Sequence, residues 1–213
     1  MDETQKNLDI NALLDALPDD DTPLEVDPEK DAFAAPPPPP DDTYVAKLAL
    51  GPKKFMTGTS AKGVNFVMAH IMAKIIDEGK RTNNQVVFAN ESDMVFNGTS
   101  RISGVLSVLG FKAKRDYQTR REMIELLGTA LGTEPVVQIK TRWELSAETG
   151  VNPSTGKKVY ETVLKGMKNF PVNEDGSYNP SPSGTFPLKS GGTVTLDGSA
   201  MAQATIVAYK AAN

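Results

Sequence analysis

Cysteine is absent from the 213 residues, histidine and tryptophan occur once each, and aromatic residues make up only 7% of the chain. Each scarcity closes off chemistry. Without thiols there are no disulfides, no thiolate nucleophile and no cysteine-ligated zinc, and the chain fits a reducing compartment. A Ser, His and Asp triad would have to use His70, which sits mid-strand among apolar neighbours in a chain lacking a G-x-S-x-G elbow. No apolar run approaches the ~18 residues that span a bilayer, and no cationic start leads into an apolar stretch. The expectation is a soluble, cytoplasmic protein with no membrane partner, in which the sequons at Asn90 and Asn97 are chance matches. Hydrophobic residues reach 39%, below the usual ~45–50%, so part of the chain buries nothing.

The charge shows which part. Residues 1–42 hold 13 acidic residues against two basic ones, Lys6 and Lys30, and carry −11. Beyond them 21 basic and 14 acidic residues leave +7, so a net −4 hides an acidic arm on a basic body. Residues 18–42, with scattered prolines and the run Pro36 to Pro40, predict a disordered arm ending in a polyproline II spacer that holds it away from the body. Inside the arm, Ile10, Leu13, Leu14 and Leu17 at helical spacing predict a short amphipathic helix near 9–17, with Asp9 as N-cap and Pro18 as stop. A helix this short is marginal alone; it folds on a partner or rests on its own body.

From Thr43 the period becomes that of strands. TYVAKLAL reads as one, and GVNFVMAHIMAKIID as a second in which Phe66, Met68, His70 and Met72 alternate with Val67, Ala69, Ile71 and Ala73. NQVVFA is a third. Ile102, Val105, Leu106 and Leu109 then mark a helix after Thr99 and Ser100, and a second opens with a capping box, Thr119 to Glu122, and stops at Gly132. Strands return with VVQIKTRWEL and KKVYETVLKG. Beyond Pro171 a Gly- and Pro-rich extension, 172–213, ends in a hairpin with Asp197 and Gly198 at its turn, packed on the same domain. Five strands with helices between the third and fourth is the order of an oligonucleotide-binding (OB) barrel, although the count admits other α+β arrangements.

In such a barrel nucleic acid crosses strands two and three, between the loops joining strands one to two and four to five. The first loop, GPKKFMTGTSAKG, offers Lys53, Lys54, Phe55 and Lys62; the second, SAETGVNPSTGKK, ends in Lys157 and Lys158. Cations with interleaved rings suit single strands, since phosphates are neutralised while bases stack. On the fourth strand Trp143 shares a face with Val137, Ile139 and Leu145, which favours a place in the core or at its edge over base stacking, leaving Lys140 and Arg142 exposed towards phosphates. Stacking then falls to Phe55 first, with Phe66, Phe88 and Tyr160 as further candidates. Lys112, Lys114 and Arg115, between the helices, either extend the path or form a solvated turn.

Enzymatic readings fare worse. GVNPSTGKK has five residues between Gly150 and Gly156 where a phosphate-binding loop has four, and Lys158 stands where Ser or Thr should hold magnesium. Glu91 and Asp93, with Asp77 or Glu78, leave a metal-dependent nuclease open.

In the order of TYVAKLAL, SAKGVNFVMAHIMAKII, SRISGVLSVLGF, LLGTALGTEPVVQIKTRWE and KGMKNFP, the chain resembles the single-stranded DNA-binding proteins encoded by bacteriophages over about residues 43–171. The resemblance implies an OB-fold domain there that coats single-stranded DNA during replication or recombination in the host cytoplasm, without catalysis or cofactor. Replication or recombination proteins are then the expected partners of the arm, and a homo-oligomer stays open. Many such proteins carry an acidic tail at the C-terminus; here the acidic arm is N-terminal. The alternative is a phage virion or assembly protein, which accounts better for the Gly- and Pro-rich extension.

Overall fold

The computed structural model describes residues 37–60, 63–78, 82–96, 98–153 and 156–212. The helix expected near 9–17 and Lys62 lie outside them.

The fold is mainly β. Strands β1 (Thr43–Thr59), β2 (Asn65–Ile75) and β3 (Val86–Ser92) form an antiparallel meander. Short strands β4 (Val95–Phe96) and β5 (Thr99–Ser100) lead into helices α1 (Arg101–Val108) and α2 (Arg120–Gly132). Then come β6 (Val136–Val151), β7 (Lys158–Lys165), a 3-10 turn at Met167–Asn169, and β8 (Ser183–Pro187), β9 (Thr193–Asp197) and β10 (Gln203–Ala211). The main sheet runs β1-β2-β3-β10-β6-β7, and β1 also pairs with β6, so five strands close into a ring from which β7 projects. The seam between β3 and β10 is parallel and rests on one residue pair, Thr205 opposite Phe88.

Side-chain alternation fills the ring. Tyr44, Ala46 and Leu48 of β1, Ala69, Ile71, Ala73 and Ile75 of β2, Val87 of β3 and Val137 and Ile139 of β6 point inward and are buried. Small and branched residues alternate there because a narrow barrel leaves room for little more. One end is covered by Ile102, Val105 and Leu106 of α1 and Met123, Leu127 and Leu131 of α2, which join the same core. Both helices start at capping boxes: Ser100 with Ser103, and Thr119 with Glu122, the pair read from the sequence.

The opposite end corrects the spacer reading for Pro37 to Pro40; Pro36 lies outside the described residues. The Pro39 carbonyl accepts from Trp143 Nε1 (2.8 Å), and the Pro40 carbonyl accepts from Thr141 Oγ1 (2.6 Å) and Tyr44 Oη (3.1 Å). The Asp41 carboxylate accepts from the backbone N–H groups of Trp143 (2.6 Å) and Met167 (2.8 Å). Prolines lack N–H donors but keep every carbonyl, and here those carbonyls satisfy polar groups that closure of the barrel would leave unpaired. The body therefore includes Pro37 to Asp42.

Two strand assignments are also corrected. The fifth barrel strand is β10, not the KKVYETVLKG segment, which becomes β7 and extends β6 into a two-stranded arm. The terminal hairpin expected at Asp197 and Gly198 does not form: β9 pairs with β8, while β10 pairs with β6 and β3. Of that dipeptide only Gly198 has positive φ (85°), and the Asp197 carboxylate accepts from the Ser199 N–H (2.9 Å), which turns the chain towards β10 instead of reversing it. Residues 172–213 thus include a strand of the barrel. A second apolar cluster forms beneath this region from Trp143, Leu145, Ala147, Phe170, Leu196 and Ala202.

Candidate nucleic-acid interface

A groove of about 740 Å³ crosses the outer face of the barrel over β2, β3 and β10 and reaches β6. Its floor follows from alternation: with Ala69 and Ile71 inside, His70 faces out, and with Val87 inside, Phe88 does. The two rings stack with centroids 5.0 Å apart and planes 10° from parallel, and Phe88 keeps 44% of its surface exposed. His70 also packs over Gly51, where a Cβ would lie 2.5 Å from its Nδ1, so only glycine admits the imidazole there.

Three cations line the groove: Lys53, Arg101 and Arg142. Lys53 stands in a bulge of β1 between Leu50, opposite Ile71, and Phe55, opposite Ala69; its N–H points to His70 Nδ1 at 3.4 Å. Arg142 Nη2 donates to Glu144 Oε1 (2.9 Å), while Nε finds no acceptor among the described residues. Arg101 is committed to structure: Nε and Nη2 hold both oxygens of Glu91 at 2.7 and 2.9 Å, and Nη1 and Nη2 also reach the carbonyls of Val207 (3.4 Å) and Ile206 (3.3 Å). Glu91, 2% exposed, accepts a further bond from Tyr209 Oη (2.9 Å). Burial beside that carboxylate pushes the Tyr209 phenol well above its usual range, and the Glu91 hydrogen bond holds the Arg101 proton more tightly.

Glu91 and Asp93, two of the acids that left a nuclease open, are thus occupied. Asp93 pairs with Arg120 Nε and accepts from the Val67 N–H (2.8 Å), and no cluster of three or more metal-ligating side chains occurs among the described residues.

Of the predicted residues, Lys53 and Arg142 come together in the groove. Phe55 does not: the expected first loop is mostly strand, and the bulge turns Phe55 inward, where it packs on the core beside Gly128 of α2. Lys54, at φ +46°, is exposed on the bulge. Phe66 lies over Gly58 on the outer face of β2, lining two smaller cavities beyond the groove. Lys112 and Lys114 are exposed on the interhelix link, and Arg115 is held by Asp116 (2.6 Å) and the Gly110 carbonyl (2.8 Å) as a turn. Lys157, Lys158 and Tyr160 belong to the β6–β7 arm; Lys158 pairs with Glu148 (2.7 Å), and Tyr160 is 59% exposed. Lys140 is exposed on β6 and lines a neighbouring cavity. Trp143, 4% exposed, is a core residue, edge-on to Phe170 at 5.3 Å.

Apolar residues on both faces of its strand give His70 the look of a packed residue in the sequence; its placement beside Phe88 follows from the pairing of β2 with β3. No family model matches the chain, and neither a curated protein nor a solved structure matches it. No helix among the described residues is long and apolar enough to cross a membrane.

Proposed function

We propose that this chain is a sequence-tolerant single-stranded DNA-binding protein whose groove takes the strand across β2, β3 and β10. The observation that carries the reading is the His70–Phe88 stack, an open aromatic surface between Lys53 and Arg142. Every base has a π face, so a flat ring with cations on either side binds bases and phosphates without reading sequence. The ring order β1-β2-β3-β10-β6, with the helices between β3 and β6 and a parallel β3/β10 seam, supports an OB-fold, whose strand two and three face is a nucleic-acid surface. On this reading the protein coats single strands in phage replication or recombination, and the acidic arm competes for the groove and recruits partners.

The test is fluorescence anisotropy with labelled oligo-dT as salt is raised. Binding at about 50 mM salt that weakens steeply by 200 mM is expected. No binding at the low salt, by the full chain and by one beginning at Pro37, contradicts the proposal.

A further inference from the structure

We propose that the strand does not end at the groove but continues over β6 into a second subsite, at the foot of β7, that binds the sugar–phosphate backbone. This rests on the single-strand reading above. The subsite is a cavity of about 670 Å³ into which Lys140, Arg142, Lys165 and Lys168 all contribute.

Continuity is the first argument. Arg142 and Val207 line both the groove and this cavity, so one surface leads into the other across β10 and β6. From His70 on β2 to Lys165 on β7 are four steps between neighbouring strands, about 19 Å at the usual spacing. At the ~3.4 Å of stacked nucleotides that is some six residues of DNA, and fewer when the strand is stretched.

Charge is the second. Glu144 is shared by Arg142 (2.9 Å) and Lys165 (3.5 Å), so this trio keeps one positive charge. Lys140 and Lys168 form no ion pair among the described residues, and both are exposed. The one other carboxylate, Asp41, is turned to the backbone N–H groups of Trp143 and Met167. Four cations against two carboxylates leave a net charge of +2.

The lining also specifies the occupant. Among the described residues no aromatic side chain contributes to this cavity, in contrast to the His70 and Phe88 rings of the groove. It therefore has no surface on which to stack a base and suits phosphates, with Lys165 and Lys168 joining Lys140 and Arg142 as contacts.

The experiment titrates labelled dT12 against the full chain, the Lys140→Gln/Lys168→Gln variant and a Lys189→Gln/Lys210→Gln control, each across a salt series. The control removes equal charge at exposed lysines that line neither cavity. Loss of two phosphate contacts flattens the slope of log K against log salt by about 1.4 and lowers low-salt affinity on the order of tenfold, with the control unchanged. A wild-type chain that fails to bind dT12 overturns the groove reading itself. If the wild type binds and both variants match its slope, the groove stands and the subsite falls. If the first variant keeps wild-type DNA binding but loses an acidic peptide of sequence DDDTPLEVDPEKD, the cavity serves a protein segment, and the proposal falls in that case also.

Discussion

The imidazole of His70 lies flat on the ring of Phe88, 5.0 Å between centroids, across the β2–β3 pair. Phe88 is nearly half exposed, so truncating it removes a binding surface and little core. Phe88→Ala is expected to weaken oligo-dT binding by about 1–3 kcal/mol, roughly five- to 150-fold, with a Tm within about 2 °C of the parent. Anisotropy and thermal melting together check this. Unchanged affinity would place base stacking elsewhere.

The parallel seam has its own fastening. Only one residue pair joins β3 to β10, and Arg101 bridges them by holding Glu91 and the carbonyls of Ile206 and Val207. Arg101→Leu leaves the Glu91 carboxylate buried without its cation, at a cost of about 3 kcal/mol. For a chain of this size Tm should fall by about 6–12 °C. A melt indistinguishable from the parent would show that the seam does not depend on the pair.

Trp143 reports on the prolines that cap the barrel, because its Nε1 donates to the Pro39 carbonyl. A chain beginning at Pro37 is expected to keep the parent's Tm and tryptophan emission. One beginning at Thr43 strips the acceptors from Trp143 and Thr141, and each buried donor left unpaired costs about 1–3 kcal/mol. Its emission should shift red and its urea midpoint fall. Equal spectra for the two truncations would contradict the docked placement of Pro37 to Asp42.

Alkaline pH should act through Tyr44. Burial, reinforced by Asp42, Asp77 and Asp41, raises its phenol from the usual 10 to about 12. Below pH 10 the phenol is protonated in folded and unfolded chains alike, and its contribution is complete. Between pH 10 and 12 only the unfolded chain ionises, so stability falls as pH rises. Urea midpoints measured from pH 9 to 12 should decline less steeply for Tyr44→Phe than for the parent; equal declines would refute the assignment.

Much of the barrel was legible because alternation is a local signal. Ala69, Ile71 and Ala73 against Phe66, Met68, His70 and Met72 separates the two faces of β2, and the same reading assigned Trp143 to the core and Arg142 to the surface. The capping box at Thr119 and Glu122 is equally local. What failed depended on distant pairing. Gly51 to Lys54 have the composition of a loop, and only their register against β2 makes them a bulge that sends Phe55 inward. Residues 158–165 and 203–211 both look like a last strand; closure by β10 is decided by its contacts with β6 and β3. Lys165 and Lys168 lie outside the basic clusters of the sequence and meet Lys140 only because the foot of β7 returns to β6.

Photocrosslinking with 5-bromouracil-substituted oligo-dT, followed by mass-spectrometric mapping of the adducts, locates the bound strand on the protein. Adducts on Phe88 and its neighbours on β2 and β3 are expected, and they should disappear with Phe88→Ala. Efficient crosslinking confined to Tyr160 or to residues 111–117, with none on β2 or β3, would contradict the account.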